Sequence, residues 1–269
     1  VGDNLSLALG MGGLLTALIF HNRFRDAAQV ASECSAMLDT INEPALTLTL
    51  CMAASNAKWQ AGEAVESLRL AQRAIDLAEG DPTRDGVVVG SPLTVALALR
   101  GANRLALGID GWRDDLDRAS QMAISIDVTS HVSGVLLKYS YAVMNAASVP
   151  GATADAETAE SLLLAEQCGD DSALDMARLA RGTVLVHGDA AQRAVGLELL
   201  ALYREASLRH GYASDAVRFV NTEFAKEKAR IGDLDGAVQM ARGAVDYSFD
   251  SGDMTSRGPA VATLVDSLL

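Results

Sequence analysis

Ile231-Gly232-Asp233-Leu234-Asp235-Gly236-Ala237, followed by Ala244 seven residues after Ala237, is the stretch whose reading decides the fold. A glycine allows the left-handed backbone that reverses a chain at the end of a helix. Small residues seven apart then lie on one helical face, where a second helix can approach closely. The same frame recurs at Gly62, with Ser67 and Ala74, and at Asn22, with Ala27 and Cys34. Asn22 to Gly62 is 40 residues, Gly62 to Gly108 is 46, Gly108 to Gly188 is 80 and Gly188 to Gly232 is 44. The interval of 80 reads as two periods, with its middle turn near Val149 to Thr153. A weak period of about 40 residues is the mark of stacked helical hairpins. The expected fold is therefore all-α, a superhelical array of about six to seven antiparallel hairpins resembling a tetratricopeptide solenoid.

Composition agrees. Of 269 residues, 49% are hydrophobic but only 4% aromatic, which suits close-packed helices and not sheets. No linker or low-complexity segment divides the chain, so residues 1–269 are expected to form a single repeat domain. The chain opens on Val1, as a C-terminal fragment of a larger protein would. A net charge of −13 argues against nucleic acid or an anionic membrane as partner. Asn4 to Phe20 carries no charge but is short of the roughly 20 residues a span needs, and an amphipathic partner at 25–41 follows. It is expected to be the inner helix of the first hairpin, in a cytoplasmic protein without a cleavable signal. Cys34, Cys51 and Cys168 have no paired spacing and are expected to be buried thiols of a reducing compartment.

The expected helix pairs are 4–21 with 24–41, 44–60 with 63–79, 92–107 with 112–125, 128–147 with 153–168, 171–187 with 190–209, and 213–231 with 235–250. A last helix covers 255–268. Asp26, Asp114, Asp189 and Asp235 stand near the starts of second helices, where a carboxylate meets unpaired N–H groups. Charge is uneven. The first helices of the first four pairs contain no Asp or Glu, and their charges are Lys58, Arg100, Arg104 and Lys138. Arg178, Arg181, Arg218, Lys226 and Lys228 follow on later first helices. If first helices line a concave face, Arg100, Arg104, Lys138, Tyr141, Arg178, Arg181 and Arg218 form a candidate groove for an acidic peptide, a carboxylate or a phosphate. The segment from Gly80 to Pro92 would be its lid. The alternative is that these cations pair with buried acids of neighbouring helices or lie along the edge of the core. Replacing Arg100 and Arg104 together separates the two: a binding face loses its ligand at constant stability, whereas structural partners take the fold with them.

Catalytic patterns are absent. Gly10, Gly12 and Gly13 follow no strand, so they make no phosphate-binding loop. The four histidines, His21, His131, His187 and His210, are isolated in sequence and suggest no metal site. Asp114, Asp115 and Asp117 read as a solvated helix start. No catalysis, cofactor or metal is expected of this chain.

Several runs carry a resemblance. They are Ala78-Glu79-Gly80-Asp81-Pro82-Thr83, Val89-Gly90-Ser91-Pro92-Leu93, Gly111-Trp112-Arg113-Asp114-Asp115-Leu116-Asp117-Arg118-Ala119, Asp127-Val128-Thr129-Ser130-His131, Cys168-Gly169-Asp170-Asp171-Ser172-Ala173-Leu174 and Ala225-Lys226-Glu227-Lys228-Ala229-Arg230. Together they resemble the C-terminal helical-repeat region of actinobacterial multidomain class III adenylate cyclases and related regulators. In that family a cyclase domain precedes an AAA-type ATPase domain and the repeat region, and some relatives carry a LuxR-type DNA-binding domain. No cyclase metal-binding aspartate and no Walker lysine has a counterpart here. The resemblance implies a sensory or protein-interaction module that biases linked ATPase and cyclase domains, its partner a protein, peptide or small anionic effector. A structural arm mediating homo-oligomerisation of the parent is the alternative.

Overall fold

The computed structural model describes residues 2–41, 43–83, 91–210 and 214–269. Among them the regular structure is helical, with no strand. The helices are α1 (Gly2–Phe20), α2 (Phe24–Met37), α3 (Pro44–Gln60), α4 (Ala64–Ala78), α5 (Pro92–Leu107), α6 (Trp112–Ala123), α7 (Val128–Leu136), α8 (Ala142–Met144), α9 (Ala152–Cys168), α10 (Asp171–Leu185), α11 (Ala190–His210), α12 (Ser214–Arg230), α13 (Leu234–Ser251) and α14 (Arg257–Leu268). The expected lid from Gly80 to Pro92 lies largely outside the described residues.

The chain packs as two compact units, Val1–Lys138 and Tyr139–Leu269. In the first, each helix from α1 to α7 packs on its neighbours in sequence, and α1, α3, α5 and α7 also pack in succession. In the second, α9 to α14 pack in sequence, with α10 against α12 and α12 against α14. The boundary falls inside a helical stretch, at a π-helical turn spanning Leu137–Tyr141.

The seven-residue spacing does what its size allows. Ala27 and Cys34 on α2, Ser67 and Ala74 on α4, and Ala237 and Ala244 on α13 are all buried. Where α3 and α4 meet, Ser55 and Ser67 exchange hydrogen bonds with each other's carbonyls, at 2.9 and 2.6 Å. Asn103 on α5 donates to Ser67 Oγ at 2.7 Å, tying three helices together through buried polar groups.

Several of the turns share one closure. At Gly62 (φ 81°) the Glu63 N–H donates to the Lys58 carbonyl at 2.9 Å. At Gly232 (φ 87°) the Asp233 N–H donates to Lys228 at 2.9 Å. This left-handed closure satisfies carbonyls the helix leaves open. In both turns the lysine also pairs with the acid five residues on, Lys58 with Glu63 and Lys228 with Asp233. Asn22 and Ala146 make the same closure without glycine. The fourth turn therefore begins at Ala146, earlier than the Val149–Thr153 the spacing suggested, because α8 ends at Met144. The Gly188 turn is built differently. Asp189 Oδ1 accepts from the Gln192 N–H at 2.9 Å, and Gln192 Oε1 accepts from the Asp189 N–H at 3.0 Å, a reciprocal cap at the start of α11.

Two of the three cysteines meet the buried expectation. Cys34 and Cys51 are buried, and loss of hydration pushes both thiols up to about 11. Cys168, at the end of α9, is exposed. Thiol titration of the native chain with a disulfide reagent is expected to show one fast-reacting group, with the other two appearing on unfolding. Rapid reaction of all three in the native state would contradict this packing.

Candidate functional site

Arg100 and Arg104, one turn apart on α5, meet at Asp115 on α6. Arg100 grips it with two nitrogens, Nε donating to Oδ2 at 2.9 Å and Nη2 to Oδ1, while Arg104 Nη1 donates to Oδ2 at 2.8 Å. The Asp115 side chain is 5% exposed, that of Arg100 12% and that of Arg104 28%. One buried carboxylate thus serves two guanidinium groups. Arg100 is enclosed and supplies two of the three hydrogen bonds. Arg104 supplies one, and its side chain is the more exposed of the two. Close approach of Gly111 lets it lie there, since a Cβ at that position would come within 3.1 Å of Arg104 Nη1.

These arginines form one wall of a groove of about 580 Å³. The other wall is α4, which contributes Val65, Leu68, Arg69, Gln72, Arg73 and Asp76, with Ile109 closing one end. Gln72 bridges the walls, accepting from Arg100 Nη1 at 2.9 Å and donating to Asp76 at 2.8 Å. Arg69 pairs with Glu66 on its own helix at 2.7 Å, and its guanidinium holds the Glu66 carboxyl below the usual range. Arg73 reaches Asp39 at 2.8 Å, a carboxylate 83% exposed. Pairs so exposed contribute little, typically about 0–1 kcal/mol. An incoming anion can therefore take the place of Asp39 or Glu66 at small cost, while Asp115 stays with Arg100. Val65 and Ile109 add exposed aliphatic surface beside the cations.

The groove differs from the expected one in its second wall. Arg69 and Arg73 have the same four-residue spacing as Arg100 and Arg104 but sit on a second helix, α4, among acidic neighbours such as Glu66 and Asp76. The remaining candidates are placed elsewhere. Lys138, in the first unit, pairs with Asp117 at 2.7 Å and does not line this groove. Tyr141 is buried in the second unit, at 6% exposure. Arg178 pairs with Asp175 at 3.1 Å, and Arg181 with Asp155 at 2.6 Å. Arg218 is 1% exposed and forms an ion pair with Asp253, itself fully buried. A side chain so enclosed cannot line a groove, and its role is inside the fold. Arg100, Arg181 and Arg218 thus pair with acids outside their own helices, whereas Arg178 pairs with one on its own helix.

The second unit has a smaller recess of about 160 Å³ with His187, Arg193, Glu223, Lys226 and Arg230 on its lining. Burial pushes His187 below its ordinary 6.5, and Lys226 and Arg193 add to this, while Glu223 at 3.7 Å opposes it. Between that lowered value and 6.5 the unfolded chain binds a proton that the folded chain refuses. The contribution is therefore complete above 6.5 and is lost as the pH falls. Stability is expected to fall between pH 7.5 and 5.5, by a smaller amount in His187→Gln. Equal losses in urea titrations of the two proteins would contradict this.

Among the described residues, no group of His, Cys, Asp and Glu is placed to hold a metal ion, and no helix is long and apolar enough to cross a membrane. Comparison with known protein families and with curated proteins returned no match.

Proposed function

We propose that this chain is a non-catalytic recognition module whose groove between α4 and α5 receives an acidic, partly aliphatic peptide or a similar anionic effector. The observation that carries the reading is the pairing of Arg104, half-released from a carboxylate that Arg100 already satisfies, with Arg73, whose own partner is exposed. Aliphatic side chains beside the cations suit a ligand with both characters. The sequence resemblance supplies the context: a cytoplasmic regulator in which occupancy of the repeat region biases linked ATPase and adenylate cyclase domains, or a transcription-regulator domain. Any such bias requires that the ligand bind two arrangements of the protein unequally.

Calorimetric titration with a synthetic peptide of alternating glutamate and leucine tests the groove. Binding is expected to weaken about tenfold or more in Arg104→Gln and in Arg73→Gln, and to weaken with added salt. Binding that ignores both substitutions would remove the reading.

A further inference from the structure

The recess of about 160 Å³ in the second unit has an unbalanced lining. His187 comes from the turn after α10, Arg193 from α11, and Glu223, Lys226, Glu227 and Arg230 from α12. Three permanent cations therefore face two carboxylates. Two of the cations are matched: Lys226 meets Glu223 at 2.7 Å, and Arg230 meets Glu227 at 2.6 Å. Arg193 is not. Its Nε donates to the Val186 carbonyl at 3.2 Å and its Nη2 to the Gly188 carbonyl at 3.1 Å. Among the described residues no carboxylate lies within ion-pair distance of it.

The Val186 carbonyl is one of those that the end of α10 leaves open, and a cation there also meets the negative end of the helix dipole. These contacts fix the guanidinium and cover carbonyls that would repel an anion. They do not neutralise its charge. The imidazole beside it registers the same excess. Burial lowers His187 first, and of the neighbouring charges Lys226 and Arg193 lower it further while Glu223 opposes them.

Size and geometry narrow the ligand. Pockets for whole small molecules start at about 300 Å³, so a recess about half that size takes a single group. Its donors converge from three segments, the turn, α11 and α12. Oxygens that point in several directions suit such a set better than the one plane of a carboxylate. A phosphate monoester also carries a charge of about −1.5 to −2 near neutral pH, enough to offset Arg193 and still attract Lys226.

We propose that this recess is a phosphate site, with Arg193 as its anchor and Lys226 and Arg230 as further cations. Glu223 and Glu227 stay with their own partners and limit the affinity. His187 also lines a second recess of about 340 Å³, which gives the organic part of a phosphate monoester a place next to the phosphate. The site belongs to the other unit from the α4–α5 groove and does not depend on it.

The test is a titration of the ¹⁵N-labelled whole chain with sodium phosphate, with sodium chloride at equal ionic strength as control and glycerol 2-phosphate in parallel. A pH of about 7.5 keeps the ester above its second ionisation, near 6. Saturable amide shifts centred on His187, Arg193 and Lys226 are expected, half-complete at about 1–10 mM. Arg193→Gln is expected to weaken binding about tenfold or more. Glu223→Gln keeps a hydrogen-bond partner for Lys226 but removes a negative charge, and is expected to strengthen binding severalfold. Loss of structure would weaken both, so the opposite signs separate a site from a damaged fold. Tighter binding of the ester assigns the phosphate to a phosphorylated small molecule; ester binding that is no tighter assigns it to the free ion. The proposal is overturned if chloride gives the same shifts, or if neither phosphate saturates by about 50 mM. Binding unchanged in Arg193→Gln, or weakened in Glu223→Gln, overturns it as well.

Discussion

Arg218→Ala is expected to lower the unfolding free energy by about 3–5 kcal/mol, the typical cost of breaking a buried pair from one side. The cost comes from Asp253. It is fully buried and accepts hydrogen bonds from the N–H and hydroxyl groups of Thr255 and Ser256, so it orders the approach to α14 while facing Arg218. Arg218 also lies 4.9 Å from the Tyr247 ring, on α13. Removing the cation leaves a carboxylate in apolar surroundings with neutral donors alone, and three helices, α12, α13 and α14, lose their common tie. Denaturant unfolding followed by circular dichroism checks this. A loss below about 1 kcal/mol, the size of a surface pair, would mean that the guanidinium is solvated and the packing described here is wrong.

Arg100→Ala and Arg104→Gln are expected to behave differently although the two arginines share one carboxylate. Arg100→Ala removes two charged hydrogen bonds from a side chain 5% exposed and should cost about 2–3 kcal/mol. Arg104→Gln leaves Arg100 in place and should cost less than about 1 kcal/mol, since Arg104 is the more exposed partner. Both tryptophans, Trp59 and Trp112, lie in the first unit, so their fluorescence during urea unfolding reports the right region. Equal costs would show that Asp115 does not distinguish its partners. Replacing both arginines at once confuses stability with binding, and Arg104→Gln alone avoids that.

Much of the helical order was legible because two local signals agreed. Gly62 and Gly232 each stand where the left-handed closure needs them, and the small residues that follow at Ser67, Ala74, Ala237 and Ala244 are the ones that became buried. Ala146 escaped notice because its backbone takes a left-handed conformation that alanine rarely adopts, so no glycine marked the turn. The division at Lys138 and Tyr139 was invisible for a related reason. It falls within a helical stretch, where neither proline, glycine nor a change of composition marks it. The site was legible only in part. Charge distribution pointed to Arg100 and Arg104, but sequence spacing carries no information on exposure. It could not separate Arg104, which reaches the groove, from Arg218, which is sealed behind Asp253. Nor could it foresee that Arg69 and Arg73 face them from the neighbouring helix, since that depends on the rotation of α4 against α5.

The groove itself is tested most directly by nuclear magnetic resonance of the ¹⁵N-labelled chain titrated with the acidic-aliphatic peptide. The expected result is a saturable set of amide shifts centred on Arg69, Gln72, Arg73, Arg104 and Ile109, absent when Arg104→Gln is titrated in the same way. Shifts scattered over the basic residues of both units, or a set elsewhere that persists in Arg104→Gln, would contradict the assignment of this groove as the recognition site.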